Sequence, residues 1–256
     1  MIDVEHDGGT AIVTVNRPEA MNALDLEHAE TLHDRLSELA ADETARVVVL
    51  TGAGEKAFIA GADIKYMQSL GVLEARRWGE LGHALGALLE TMPKPTIAAI
   101  NGYALGGGCE LALACDLRLA SSNARIGQPE IDLGVIPGWG GSVRLARTTT
   151  LGFAKTLIFT GRPVAAQEAL EHGLVNAVYG PEELREKTLD LCRGLEAKSA
   201  LALAYAKEAV NVSLQGPHRT NLEIEERLFA MLFASDDQKE GMAAFAEKRP
   251  PEFRGR

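Results

Sequence analysis

Two glutamates stand in surroundings that do not suit a carboxylate. Glu110 closes Gly106-Gly107-Gly108-Cys109-Glu110 and leads into Leu111-Ala112-Leu113-Ala114, while Glu130 ends Gly127-Gln128-Pro129-Glu130, 20 positions further on. A triple glycine lets the backbone approach a ligand closely and adopt positive φ. The residues after it are apolar nearly all round, which predicts a buried helix. A carboxylate in the first turn of such a helix is costly unless it has a partner or a task. Two such carboxylates near the free N–H groups of a helix start are the ingredients of proton transfer beside a polarised oxygen. The competing reading of the glycines is a tight turn packed against another element, and that of the glutamates is salt bridging or exposure.

The elements that must hold these residues follow from the hydrophobic pattern. Residues 2–6 and 11–16 read as strands joined across Asp7-Gly8-Gly9, a good hairpin turn. Leu24, Leu32, Leu36 and Leu39 mark an amphipathic helix beginning near Asn22. Residues 46–51 read as a buried parallel strand, 52–71 as a glycine-containing loop, 72–91 as a helix and 96–100 as a strand. The buried helix from 108 leads to a strand over 117–120. Alternating strands and helices predict an α/β core with mainly parallel strands. From 139 onward the pattern turns helical, with helices over 140–147, 151–159, 165–172, 181–196, 199–213, 221–233 and 236–247. The expected division is a core over 1–195 and a helical unit over 196–256.

Composition narrows the chemistry. A net charge of −10 argues against general affinity for nucleic acid or an anionic membrane. No run approaches the roughly 18 apolar residues of a membrane span. Three cysteines, Cys109, Cys115 and Cys192, are odd in number and lie in helical, mostly apolar contexts, so a reducing, cytoplasmic setting is expected rather than a disulfide framework. Met1 opens directly on a strand-like segment, with no charged-then-apolar leader. The six histidines are scattered, and no metal site is expected. No phosphate loop, dinucleotide fingerprint or nucleophile elbow is completed.

The motif Asn101-Gly102-Tyr103-Ala104-Leu105-Gly106-Gly107-Gly108-Cys109-Glu110, followed by Gly127-Gln128-Pro129-Glu130 and Gly134-Val135-Ile136-Pro137-Gly138, resembles the enoyl-CoA hydratase/isomerase (crotonase) family. Asn16-Arg17-Pro18, Asn22-Ala23-Leu24, Gly61-Ala62-Asp63-Ile64-Lys65 and Gly161-Arg162 fit it too, in the family's order and along essentially the whole chain. The resemblance replaces the plain α/β core with a crotonase-like spiral of repeated β-β-α units in two sheets, followed by a C-terminal helical trimerisation region. It implies a homotrimer or a dimer of trimers.

The resemblance also implies a reaction: syn addition of water to a trans-2-enoyl-CoA, giving a 3-hydroxyacyl-CoA, as in fatty-acid β-oxidation. The thioester is the substrate, and no metal or redox cofactor is implied. Matched residue by residue, Ala62 and Gly107 supply the two backbone N–H groups that hold the thioester enolate. Glu110 and Glu130 match the two hydratase glutamates, with Glu110 assigned to the water and Glu130 to proton delivery, although the chemistry would run with either division. Members that only shift a double bond usually lose the carboxylate at the Glu110 position, so the pair favours hydration over isomerisation. A non-catalytic RNA-binding or scaffold relative is the remaining alternative, and it would need a basic stripe.

The substrate and CoA positions implied are Ala23, Leu24, Ala60, Asp63, Ile64, Lys65, Gly106, Pro129, Gly138, Trp139, Phe245 and Lys248, the last two often serving a neighbouring subunit. Trp139 departs from the alanine of many fatty-acid hydratases. It is expected either to reshape the acyl pocket or to pack as the first aromatic of the next helix.

Overall fold

The computed structural model describes residues 1–255. The chain opens with an antiparallel hairpin, β1 (Ile2–Asp7) and β2 (Thr10–Val15), turned at Gly8 with φ of 61°. Helix α1 (Leu26–Ala41) starts at Asp25, whose carboxylate accepts the His28 N–H, and it buries Ala29, Leu32, Leu36 and Leu39. Then come β3 (Val47–Gly52), β4 (Ala57–Ile59), the short α2 (Ile64–Met67) and α3 (Val72–Thr91). They are followed by β5 (Thr96–Ile100), β6 (Tyr103–Leu105), α4 (Gly107–Ala114), β7 (Leu117–Ser121) and β8 (Arg125–Gly127). A 3₁₀ turn over Pro129–Leu133 precedes α5 (Gly141–Thr148), α6 (Leu151–Thr160), β9 (Val164–Ala165), α7 (Ala166–Glu171) and β10 (Ala177–Tyr179). Four helices finish the chain: α8 (Leu184–Glu196), α9 (Ala200–Val212), α10 (His218–Leu232) and α11 (Asp236–Glu247).

Successive β-β-α units send their first strand to one sheet and their second to another. The larger sheet has the order β1-β2-β3-β5-β7-β10, parallel from β2 onward, and the smaller has the order β4-β6-β8-β9, parallel except at β9. This is the two-sheet spiral that the resemblance implies. The plain α/β core with mainly parallel strands read from hydrophobic pattern is refined by it into two sheets. The segment 52–71, expected as loop, contains β4 and α2, and β6, β8, β9 and β10 were not foreseen. These strands are two or three residues each, too short to show a period of two.

Each face of the larger sheet is covered. One side joins α1, α3 and α4 through residues such as Leu32, Leu50, Leu85 and Leu111. The other carries α8, whose Leu184 and Cys192 are buried with Ile12, Val49, Ile97 and Leu119. Helix α9 is attached differently, for none of its residues is fully buried. Its Lys207 reaches inward, donating to the carbonyls of Leu89 (2.7 Å) and Lys94 (3.1 Å) and pairing with Asp116 at 2.8 Å.

Candidate active site

The site forms where α4 begins against the loop that leaves β4. Gly108 packs on β4 so closely that a Cβ there would lie 1.9 Å from the Ile59 carbonyl oxygen. Gly61, with φ of 110°, has the Gly107 nitrogen 4.0 Å from where its own Cβ would be. The chain beyond it is pinned by a parallel bridge. Leu24 donates to the Gly61 carbonyl at 2.9 Å and accepts from the Asp63 N–H at 2.7 Å. Those two bonds flank Ala62, so its own N–H points away from Leu24. Gly107, as the first residue of α4, has no intrahelical acceptor for its N–H. Among the described residues neither N–H meets a protein acceptor, and both residues line the same cavity.

A buried bracket holds this loop. Asn22 is fully buried at φ of 59°; its side chain accepts from Arg17 N (3.0 Å) and donates to Ala53 O (3.0 Å) and Ala57 O (2.8 Å). The Arg17 guanidinium bonds Asp63 at 2.9 Å and the Ala23 carbonyl at 3.1 Å. Asp63 in turn accepts the Lys65 N–H at the start of α2, and although partial burial works against it, Arg17 and that N–H hold its carboxyl below the usual range.

Burial raises both glutamates, and they differ in what offsets it. Glu110 is 2% exposed, and one of its oxygens accepts from both Trp139 N and Gly141 N at 2.7 Å. Burial leaves its carboxyl above the usual range, although those N–H groups and Arg144 oppose the shift. Glu130 has no comparable anchor. Burial first, and the Glu110 charge second, push it up to about 7. Its carboxylate stands over Gly106, where a Cβ would meet Oε1 at 3.0 Å. The buried Gln128 amide lies 2.9 and 3.1 Å from the two Glu130 oxygens. With its NH₂ turned to them it donates to the carboxylate; with its carbonyl turned to them it accepts the proton of the neutral acid. Two carboxyls held in such different hydrogen-bonding environments can divide the roles of base and acid.

The cavity has a volume of about 380 Å³. Of the residues singled out from sequence, Glu110, Glu130, Ala62, Gly107 and Gly106 line it. So do Ala60, Ile64, Pro129, Gly138 and Trp139. Leu24 lies in the core and acts on the site through its bridge to Ala62. Ala23 and Asp63 belong to the Arg17 bracket, and Lys65 is exposed beside it. Phe245, 87% exposed on α11, and Lys248, which ends that helix at φ of 54°, do not line this cavity. A larger cavity of about 650 Å³ under α9 holds neither glutamate. Among the described residues no group of three His, Cys, Asp or Glu side chains could hold a metal ion.

Sequence reasoning missed several residues of the site. Gln128 stood inside a quoted motif and was passed over. Trp78 on α3 lines the cavity but is 61 positions from Trp139, whose indole N–H donates to its carbonyl at 3.1 Å. Arg144 binds Glu90 through two nitrogens at 2.7 and 2.8 Å and the Trp139 carbonyl at 2.7 Å, which steadies the loop that anchors Glu110. Its sequence signal is the lone arginine in Gly140-Gly141-Ser142-Val143-Arg144.

Comparison with known proteins gives a consistent picture. The profile of the enoyl-CoA hydratase/isomerase family matches residues 5–256. The chain is 45% identical to the short-chain-enoyl-CoA hydratase of Clostridium acetobutylicum, over 96% of this chain and 94% of that one. It is 44% identical to the crotonyl-CoA hydratase of Syntrophomonas wolfei, over 98% and 97%. Its structure resembles the crystal structure of the enoyl-CoA hydratase from Bacillus anthracis with a TM-score of 0.96 and 39% identity, covering 100% of this chain and 99% of that one.

Proposed function

The chain belongs to the enoyl-CoA hydratase/isomerase family, and from that premise we propose that it adds water across the double bond of a trans-2-enoyl-CoA to give the 3-hydroxyacyl-CoA. The observation that carries this reading is the meeting of two buried carboxyls and two unbonded N–H groups, Ala62 and Gly107, in one cavity. The N–H groups receive the thioester oxygen. As negative charge grows on that oxygen, hydrogen bonds from fixed dipoles strengthen without reorganisation. Glu110, held in place by the Trp139 and Gly141 N–H groups, takes a proton from water as the water oxygen bonds C3. The C2–C3 π electrons move onto the thioester as an enolate. Glu130, in its protonated form, delivers its proton to C2 as the enolate collapses. One water is consumed, and the carboxyls exchange protonation states and reset by proton transfer between themselves or with solvent.

On the same reading the CoA moiety runs past Ala23, Ala60, Asp63 and Ile64, with Lys65 near its phosphates. Phe245 and Lys248 would reach the CoA of a neighbouring subunit in a homotrimer or a dimer of trimers. Exposed apolar side chains on the last helices support that assembly, notably Val210, Phe229 and Phe245. No nucleic acid is among the proposed partners, in keeping with the acidic balance. Three free, buried thiols support a reducing, cytoplasmic setting, and among the described residues no helix is long and apolar enough to cross a membrane.

Incubation with crotonyl-CoA decides between the family's reactions. Hydration removes the conjugated thioester absorbance and yields 3-hydroxybutyryl-CoA. An isomerase would leave crotonyl-CoA unhydrated and instead create conjugation from a 3-enoyl ester.

A further inference from the structure

We propose that Trp139, braced by Trp78, is the end wall of the acyl cavity and confines the substrate to short-chain enoyl esters; this rests on the hydratase reading above. The cavity has an open and a closed end. Leu133 and Ile136, 54% and 69% exposed, stand at its rim, whereas Trp139 and Trp78 are 3% and 6% exposed at its inner end. The direction of the acyl chain follows from the anchoring of Glu110. A C3 atom within reach of that carboxylate lies beside the group that holds it, the Trp139 N–H at 2.7 Å. The carbons beyond C3 therefore run onto the two indoles.

That wall is built so that it cannot swing aside. The Trp139 ring fills the place of an absent side chain on α3, since a Cβ on Gly82 would lie 1.9 Å from its Cγ. It also passes behind the oxyanion residue, with ring carbons 3.0 to 3.6 Å from where a Gly107 Cβ would be. The indole N–H is tied to the Trp78 carbonyl, the two indoles lie 4.7 Å apart, and Tyr66 packs edge-on against Trp78 at 5.2 Å. A side chain fixed by a hydrogen bond, a complementary glycine and one aromatic neighbour that is itself braced makes a hard stop. A close-packed stop discriminates steeply, about tenfold or more for each methylene that does not fit.

The test is kcat/KM for crotonyl-, trans-2-hexenoyl-, trans-2-octenoyl- and trans-2-decenoyl-CoA with the wild-type chain, Trp139→Ala and Trp139→Phe. The wild type is expected to lose at least about tenfold between crotonyl and octenoyl esters. Trp139→Ala is expected to raise the octenoyl-to-crotonyl ratio by about tenfold or more. Trp139→Phe keeps an aromatic ring against Gly82 and shortens the wall, so it shifts the ratio the same way by about fourfold, and decides the matter if the alanine variant does not fold. A wild type that hydrates octenoyl-CoA as well as crotonyl-CoA, or folded variants with an unchanged ratio, would overturn the inference. A wild type that hydrates none of the four esters would overturn the hydratase reading, and this inference with it.

Discussion

Glu130 can donate a proton only while it is neutral, and its environment keeps it neutral up to about 7. In the proposed reaction kcat/KM for hydration therefore falls as pH rises through about 7, because the acid is lost. Glu130→Gln has no proton to lose in that range; it should remove the alkaline limb of the pH–rate profile while lowering the rate by about 10²–10⁴. Retention of the limb in that variant would assign it to another group. The glutamates were legible because a carboxylate in an apolar, glycine-rich string is conspicuous. Ala62 was not, since a main-chain donor leaves no mark on the side chain that carries it, and only the family motif pointed to it. Gln128 escaped notice for a related reason: a neutral amide looks unremarkable until its 2.9 Å approach to Glu130 is seen.

At the scale of elements, the site depends on α4 lying directly against β4. Gly108→Ala would drive a methyl into the Ile59 carbonyl, 1.9 Å away, and backbone cannot move aside as a flexible side chain can. A loss of about 1–3 kcal/mol or more is expected, read as a fall in melting temperature of about 2–4 °C per kcal/mol. Asn22→Ala removes the donor from the Ala53 carbonyl, leaves the Ala57 carbonyl only Asn101 at 3.3 Å, and places alanine in the left-handed region at φ of 59°. About 2–4 kcal/mol of stability should go, and kcat with it, since the same bracket aims the Ala62 N–H. An unchanged kcat in a folded Asn22→Ala variant would separate the bracket from catalysis. The long strands β2, β3, β5 and β7 were readable as runs of Val, Ile, Leu and Ala. The smaller sheet was not, because β4, β6 and β8 have three residues each and are fixed by tertiary pairing rather than by pattern.

The whole molecule divides its tasks between a spiral that builds the cavity and helices that leave apolar side chains outward. The proposed trimer makes two measurements informative. Sedimentation at micromolar concentration should give three or six times the 27.4 kDa chain mass, and a monomer would contradict it. If Phe245 serves a neighbour's CoA, Phe245→Ala should raise KM for crotonyl-CoA several-fold with little change in kcat. The acidic balance read from sequence bears on partners but could say nothing of this assembly, because charge patterning does not encode which apolar faces meet. Whether Glu110 activates the water is decided by crotonyl-CoA hydration in wild type and Glu110→Gln, following loss of the conjugated absorbance. The amide still accepts the Trp139 and Gly141 N–H groups, so the variant should fold like the wild type while losing about 10²–10⁴ in kcat. Hydration by Glu110→Gln at the wild-type rate would contradict that role.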